Sequence, residues 1–237
     1  MNYNLDKFYK GLEKLNISLS EEQISQFITY YEMLVEKNKV MNLTAITEFE
    51  EVIEKHFLDS ISLCQVYDLN KKVKILDLGT GAGFPGIPIK IAFPEVNVVL
   101  ADSLNKRILF LDEVIDALKL EKVETVHARA EELGRDKNYR EQFDLVVSRA
   151  VANLSSLGEY CLPFVKQGGQ FISYKSGDVE EEVENAKNAI FLLGGKKKNI
   201  YHFEISENQR SFVIIDKVKG TPKTYPRKAG TPTKMPL

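Results

Sequence analysis

The stretch K-I-L-D-L-G-T-G-A-G-F-P-G, Lys74 to Gly86, joins a short apolar run to a helix start through a glycine-dense turn. Ile75, Leu76 and Leu78 suit a strand at the centre of a parallel sheet, buried on both faces. Gly79, Gly81 and Gly83 remove the side chains that would keep a ligand off the backbone. Pro85 and Pro88 fall where a helix can begin, because the first-turn amides have no partner inside the helix. Such amides are expected to face an anionic or strongly polar ligand, so the function is expected here.

Downstream of Lys72, apolar strands alternate with helical segments, the pattern of a parallel sheet covered on both faces. Strands are expected near 73–78, 97–102, 123–127, 143–149 and 168–174, and helices near 86–93, 104–119, 130–134 and 153–163. The second of these helices carries the stripe Leu104, Ile108, Leu111, Ile115 and Leu118 behind a cap at Ser103. After a further helix over 178–193 the alternation stops. K-K-K-N-I-Y-H-F-E-I-S and S-F-V-I-I-D-K-V read as an antiparallel hairpin turning at Glu207 to Arg210. The expected fold is therefore α/β, with a seven-stranded sheet rather than the six parallel strands of a dinucleotide-binding fold.

Upstream, the chain reads as helical. Ser20 with Gln23 forms a capping box, and Ile24, Phe27, Ile28, Tyr31, Leu34 and Val35 share one helix face up to about Lys39. A turn at Met41-Asn42-Leu43-Thr44 leads to a second helix, E-F-E-E-V-I-E-K-H-F-L-D-S-I-S-L. Residues 1–70 are expected to form a helical cap, 71–220 the core, and 221–237 an extended, basic, proline-rich tail.

The 237 residues are 43% hydrophobic and 28% charged with a net charge of -2, so global charge identifies no partner and only local clusters can. The start has no basic-then-apolar signal pattern, and no stretch approaches the roughly 20 apolar residues of a membrane span. A cytoplasmic protein without membrane contact is the expectation. Cys64 and Cys161 lack disulfide or metal-ligand spacing and read as buried reduced thiols. Three scattered histidines form no ligand set, so no metal is expected.

Gly81-x-Gly83-x-x-Gly86 matches the dinucleotide fingerprint, a weak signal by itself. Asp77 extends it to D-x-G-x-G-x-G and puts a carboxylate at the strand end. That acid repels a pyrophosphate but suits a cofactor with its own positive charge, which favours S-adenosylmethionine over NAD. Asp102, ending V-V-L-A-D, is placed to accept ribose hydroxyls from either cofactor, or else to serve the strand-to-helix turn.

Nearly the whole chain resembles the bacterial ribosomal RNA small subunit methyltransferase G family, also called glucose-inhibited division protein B. The resemblance is carried by M-N-L-T-A-I (41–46), H-F-L-D-S (56–60), L-D-L-G-T-G-A-G-F-P-G-I-P (76–88), A-R-A-E (128–131), S-R-A-V (148–151) and the ending Y-P-R-K-A-G-T-P-T-K-M-P-L. It implies a Rossmann-like class I S-adenosylmethionine-dependent methyltransferase acting in rRNA processing. The implied reaction is methylation of guanosine N7 in 16S small-subunit rRNA, as free RNA or a 30S particle, by in-line attack of the free N7 lone pair. By motif, Gly79 and Phe84 would line the cofactor pocket, Ala130 and Glu131 would meet the adenine end, and Arg149 would lie at the mouth between cofactor and RNA.

The residues agree with that chemistry. Neither cysteine is placed to attack a pyrimidine ring, and S-R-A-V stands where amine methylation usually shows an Asn/Asp-Pro-Pro-aromatic turn. Guanine N7 needs only to be held in position. Arg149, ending a buried strand, is either paired with an acid or bound to guanine O6 or a phosphate. Lys175 is a second candidate for the same mouth, or a solvated lysine. His56 serves the rim or packs a helix. RNA contacts are expected from Arg129, Lys196, Lys197, Lys198, Lys217, Arg227, Lys228 and Lys234, with Tyr201 and Tyr225 available to stack on bases. A monomer is the expectation, although nothing in the sequence speaks to oligomeric state. A small-molecule or protein methyltransferase and a NAD-dependent oxidoreductase are the rival classes.

Overall fold

The glycine-turn unit lies at the middle of the sheet. The computed structural model describes residues 3–149 and 152–237, so Ala150 and Val151 of the S-R-A-V segment fall outside the described residues. In chain order the elements are α1 (Asp6–Lys14), α2 (Glu21–Met41), α3 (Phe49–Val52), α4 (Asp59–Ile61), β1 (Lys74–Leu78), α5 (Gly86–Ala92), β2 (Asn97–Asp102), α6 (Asn105–Leu118), β3 (Val123–His127), α7 (Ala130–Leu133), β4 (Phe143–Arg149), α8 (Leu154–Cys161), β5 (Val165–Ser176), α9 (Glu180–Asn185), α10 (Lys187–Leu192), β6 (Gly195–Ile205), β7 (Asn208–Lys217) and α11 (Thr231–Lys234).

The strand order is β3-β2-β1-β4-β5-β7-β6. Strands β1 to β5 pair in parallel, and β7 runs antiparallel between β5 and β6. The chain leaves β1 toward β2 on one side and returns to β4 on the other. The strand order therefore switches direction between β1 and β4, and the crevice at their C-terminal ends is the usual ligand position in an open α/β sheet.

Alternating side chains of the central strands feed two apolar layers. Ile75, Leu145, Val147 and Ile172 face a layer that includes α1, α2 and α6, while Leu76, Val146, Phe171 and Val213 face α8 and α10. The N-terminal helices bring Phe8, Phe27 and Phe57 together, with ring centroids 5.0 and 4.9 Å apart for the two pairs that include Phe27. Each such pair contributes about 0.5–1.5 kcal/mol beyond burial. The fully buried Tyr30 donates to the Ala82 carbonyl at 2.6 Å, tying α2 to the glycine turn.

The Ser20–Gln23 capping box forms as its spacing predicts. Several local expectations are corrected. The second upstream helix is broken by a π-helical turn over Ile53–Leu58 and ends in a 3-10 turn, so His56 and Asp59 leave the ordinary helical register. Leu104, not Ser103, stands at the N-cap of α6, and the Asp102 carboxylate takes the Leu104 amide at 2.9 Å. The hairpin turns at Ser206 and Glu207, both at positive φ, with Asn208 already in β7. The predicted 178–193 helix is two short helices meeting at Ala186.

Candidate active site

A cleft of about 680 Å³ opens at the C-terminal ends of β1, β2 and β4, within the range that takes a drug-sized ligand. Gly79 and Gly81 line it, with φ of 73° and 62°. A Cβ on Gly81 would meet none of the described residues within 4 Å, so that face of the turn is open to a ligand. Gly83 is different: it does not line the cleft, and its missing side chain makes room for Tyr30, Ile87 and Leu111.

Most of the turn's amides are bonded within the protein, against the expectation that they face a ligand. Gly79 and Thr80 donate to the Ala101 carbonyl, Gly83 and Phe84 to that of Thr80, and Ile87 to that of Gly83. Gly81 N–H donates to Asp102 Oδ2, and Gly86 N–H to Asp77 Oδ2. Asp77 is therefore corrected from a mouth residue to an organiser of the turn. It is fully buried, its Oδ2 also takes the Thr80 hydroxyl at 2.7 Å, and Oδ1 has no hydrogen-bond partner among the described residues. Burial pushes its acid up to about 6, although the Thr80 and Gly86 hydrogen bonds and Arg149 pull the other way.

A raised carboxylate contributes stability that is complete below its unfolded value near 3.8 and is lost as pH rises through about 6. Asparagine keeps the acceptor for Thr80 and Gly86 without the buried charge. Relative to wild type, Asp77→Asn should gain about 2–3 kcal/mol between pH 4 and pH 8. Parallel pH dependences of urea-unfolding stability in the two proteins would contradict this.

Along one wall Asp102 ends β2. It closes the strand-to-helix turn and also lines the cleft. Its Oδ2 accepts from Arg107 Nη1 at 3.2 Å as well as from the Gly81 amide, and the Arg107 side chain is 34% exposed. Ala130 and Glu131 line the far end, together with Tyr160 and Gly230.

At the other end the M-N-L-T turn and the π-helical turn meet β4. Asn38 Oδ1 takes the Leu43 and Thr44 amides, which presents both residues to the cleft. His56 stacks on Phe84 at 4.6 Å, and the Arg149 guanidinium lies 5.0 Å from the same ring. Arg149 Nη1 donates to Asp59 Oδ2 at 2.9 Å and to the Lys55 carbonyl at 3.1 Å. The other Asp59 oxygen accepts from Arg210 Nε at 3.0 Å. His56 Nδ1 lies 3.0 Å from the Lys55 carbonyl and 3.3 Å from Arg149 Nη2, and Nε2 lies 2.9 Å from the Thr44 hydroxyl. Burial, and then Arg149, lower His56 to about 4, so it is neutral near pH 7.

The family model described as rRNA small subunit methyltransferase G matches residues 23–213. The chain belongs to this family. A Lachnoclostridium phytofermentans protein named ribosomal RNA small subunit methyltransferase G is 55% identical over 232 residues, covering 97% of this chain and 96% of that relative. The Bacillus subtilis protein of the same name is 50% identical, covering 99% of each chain. Among solved structures, M. jannaschii TYW2 in complex with AdoMet shares the fold at 17% identity, with a TM-score of 0.56 over 73% of this chain and 80% of that one. The fold is thus the Rossmann-like fold of class I S-adenosylmethionine-dependent methyltransferases.

Of the predicted site residues of this family member, Gly79, Gly81, Phe84, Asp102, Arg129, Ala130, Glu131 and Arg149 all line the cleft. Lys175 does not. It is held by Glu182 at 2.7 Å and by the Ala152 carbonyl, and Glu182 also takes the Leu154 amide at the start of α8. Lys196, Lys197 and Lys198 are exposed on the edge strand β6, near its start, whereas the cleft lies at the strands' C-terminal ends on the other side of the sheet's middle. Lysines there discourage edge-to-edge pairing. Lys217 is buried against the Leu162 and Val165 carbonyls, and Arg227 is clamped on the buried Glu159. Lys228 and Lys234 are exposed.

Asp59, Arg107, Tyr160 and Gly230 escaped sequence reading. The signal for Asp59 was an acid inside the apolar run H-F-L-D-S-I; for Arg107 it was a cation one helical turn beyond Asp102. Cys161 is buried and Cys64 half-buried; neither lines the cleft, and burial raises the Cys64 thiol to about 11. Among the described residues no group of three or more His, Cys, Asp or Glu side chains is arranged to hold a metal ion, and no helix is long and apolar enough to cross a membrane.

Proposed function

We propose that this protein transfers a methyl group from S-adenosylmethionine to N7 of a guanosine in 16S ribosomal RNA, presented as RNA or as a 30S particle, and does so without a general base. S-adenosylmethionine is the methyl donor, and when bound it supplies a methyl group already activated on a positively charged sulfur. The residues present fit it: Gly81 offers open backbone, Asp102 offers a carboxylate to a ribose, and Ala130 with Glu131 flanks the opposite end. A pyrophosphate would find most of the turn's amides committed within the protein, which speaks against NAD.

The observation that carries the reading is the state of His56. It is neutral, and both its ring nitrogens are engaged, so it is not poised to take a substrate proton. Guanine N7 carries a lone pair and no proton. What such a reaction asks of the chain is orientation and dryness. Phe84, buried under His56, supports the Arg149 guanidinium, and Arg149, fixed by Asp59 and Lys55, offers that guanidinium to guanine O6 or a phosphate. Arg149 is thus both paired and sited at the mouth. Exposed Arg129 and Lys228 supply charge for the RNA backbone. The division of labour follows the chain, with residues 1–70 capping the mouth, 71–220 holding the cofactor and 221–237 closing the adenine side. The reading implies a cytoplasmic enzyme.

Assay of methyl transfer to small-subunit particles should show a maximal rate with no titration of a base between about pH 6 and 8. Nucleoside mass spectrometry of the product should find the mark on N7. A mark on an exocyclic amine or ring carbon, or a pH profile abolished by His56→Gln, overturns the proposal.

A further inference from the structure

The C-terminal segment lies beyond the residues matched by the family model, which end at 213. It reads in sequence as an extended basic tail, and the structure corrects this. From the end of β7, at the N-terminal edge of the parallel strands, the segment climbs the flank of α7 and α8 to the opposite edge, where the cleft opens. Each step is anchored. Arg140 donates to the Thr221 and Tyr225 carbonyls, Arg135 to that of Pro226, and Ser156 to that of Pro232. Arg227 gives its backbone N–H, Nε and Nη2 to Glu159, whose side chain is wholly buried. A buried carboxylate left without its cation is expensive, so this docking is built into α8.

The climb ends at the site. Gly230 N–H donates to Glu131 Oε1 at 2.8 Å, the Tyr160 hydroxyl meets Thr233 Oγ1 at 2.7 Å, and Gly230, Glu131 and Tyr160 all line the cleft. Gly230 has φ +79°, with nothing within 4 Å of where a Cβ would stand. Backbone there approaches the cleft without a side chain in the way. Glu131 is 9% exposed, and the tail's amide helps to set its orientation.

We infer that residues 225–234 form the adenine-side wall of the cofactor cleft and that Glu131 is the latch that joins this wall to the cofactor; the inference rests on the cofactor reading above. Arg227 then serves the cleft by holding the wall, as a positioning residue and not as an RNA contact. The cofactor and the docked tail should stabilise each other, since coupling between two binding events is reciprocal.

The test uses the full chain and two variants. Gly230→Pro removes the amide that Glu131 accepts and forbids the positive φ, while leaving the Arg227 anchor in place. Arg227→Ala removes the anchor and leaves the latch residues unchanged. Calorimetry with S-adenosylmethionine should show both variants binding roughly 10- to 100-fold more weakly than wild type, the scale of a lost hydrogen bond to a charged group. Thermal unfolding of Gly230→Pro without cofactor should remain cooperative and fall by only a few degrees, because the Arg227 anchor still holds the segment. Hydrogen exchange should show amides 225–234 slowed by cofactor in wild type and not in the variants. Wild-type affinity in Gly230→Pro, or exchange in 225–234 indifferent to cofactor, overturns the inference while leaving the cofactor reading intact. Failure of the wild-type chain itself to bind S-adenosylmethionine overturns the cofactor reading, and the inference with it.

Discussion

Asp59→Ala is expected to destabilise the fold by about 3–5 kcal/mol, the cost of breaking a buried ion group from one side. Asp59 is almost completely buried and joins two arginines from different elements: Arg149 at the end of β4 and Arg210 in β7. Both side chains are largely buried, at 17% and 21% exposure, so water compensates little for the lost carboxylate. Against a total stability of about 5–15 kcal/mol, such a loss brings the protein close to unfolding at physiological temperature. Urea unfolding measures it directly. Asp59→Asn keeps one acceptor oxygen and most of the volume, and should fold better than the alanine variant. Its turnover should still fall more than its cofactor affinity, because Arg149 loses the charge that fixes it beside Phe84 while the glycine turn is untouched. An alanine variant as stable as wild type would remove Asp59 from this role.

The parts of the fold legible in the sequence were those with a local cause. The strands β1 to β4 have apolar runs bounded by turn residues, and the Ser20–Gln23 box writes its own helix start, so their limits fall within a residue or so of expectation. What sequence reading missed depends on partners far along the chain. Asp77 reads as a carboxylate for a ligand because it lies two residues ahead of Gly79, yet the hydrogen bonds it accepts from Thr80 and Gly86 turn it under the loop. Arg227 reads as a tail cation because its acid, Glu159, lies 68 residues earlier in an otherwise uncharged helix. Likewise, Lys175 ends a strand, where a cation can face the crevice, but Glu182 in the following helix claims it. Composition marks a charge; only the fold tells whether the charge is spoken for.

The three glycines of the turn make the same point and allow the sharpest contrast. Gly81 and Gly83 are two residues apart in one motif, and both have positive φ, at +62° and +107°. Valine at either site meets backbone strain of about 1–3 kcal/mol. At Gly83 the new Cβ would also lie 2.6 Å from the Tyr30 hydroxyl, 2.8 Å from Ile87 and 2.9 Å from Leu111, all in the layer between α2 and the sheet. Overpacking there adds about 1–3 kcal/mol and pushes Tyr30 off the Ala82 carbonyl. Gly83→Val should therefore lose most of its stability, with its cofactor affinity falling only because less protein is folded. At Gly81 nothing stands within 4 Å, so the valine costs little beyond its φ and its side chain projects where a ligand would approach the turn. Gly81→Val should melt within a few degrees of wild type yet bind S-adenosylmethionine at least 100-fold more weakly. Thermal unfolding and calorimetry on both variants separate the two roles. If Gly81→Val binds like wild type, the ligand does not cross that face of the turn; if Gly83→Val folds normally, the α2 layer is looser than its contacts imply.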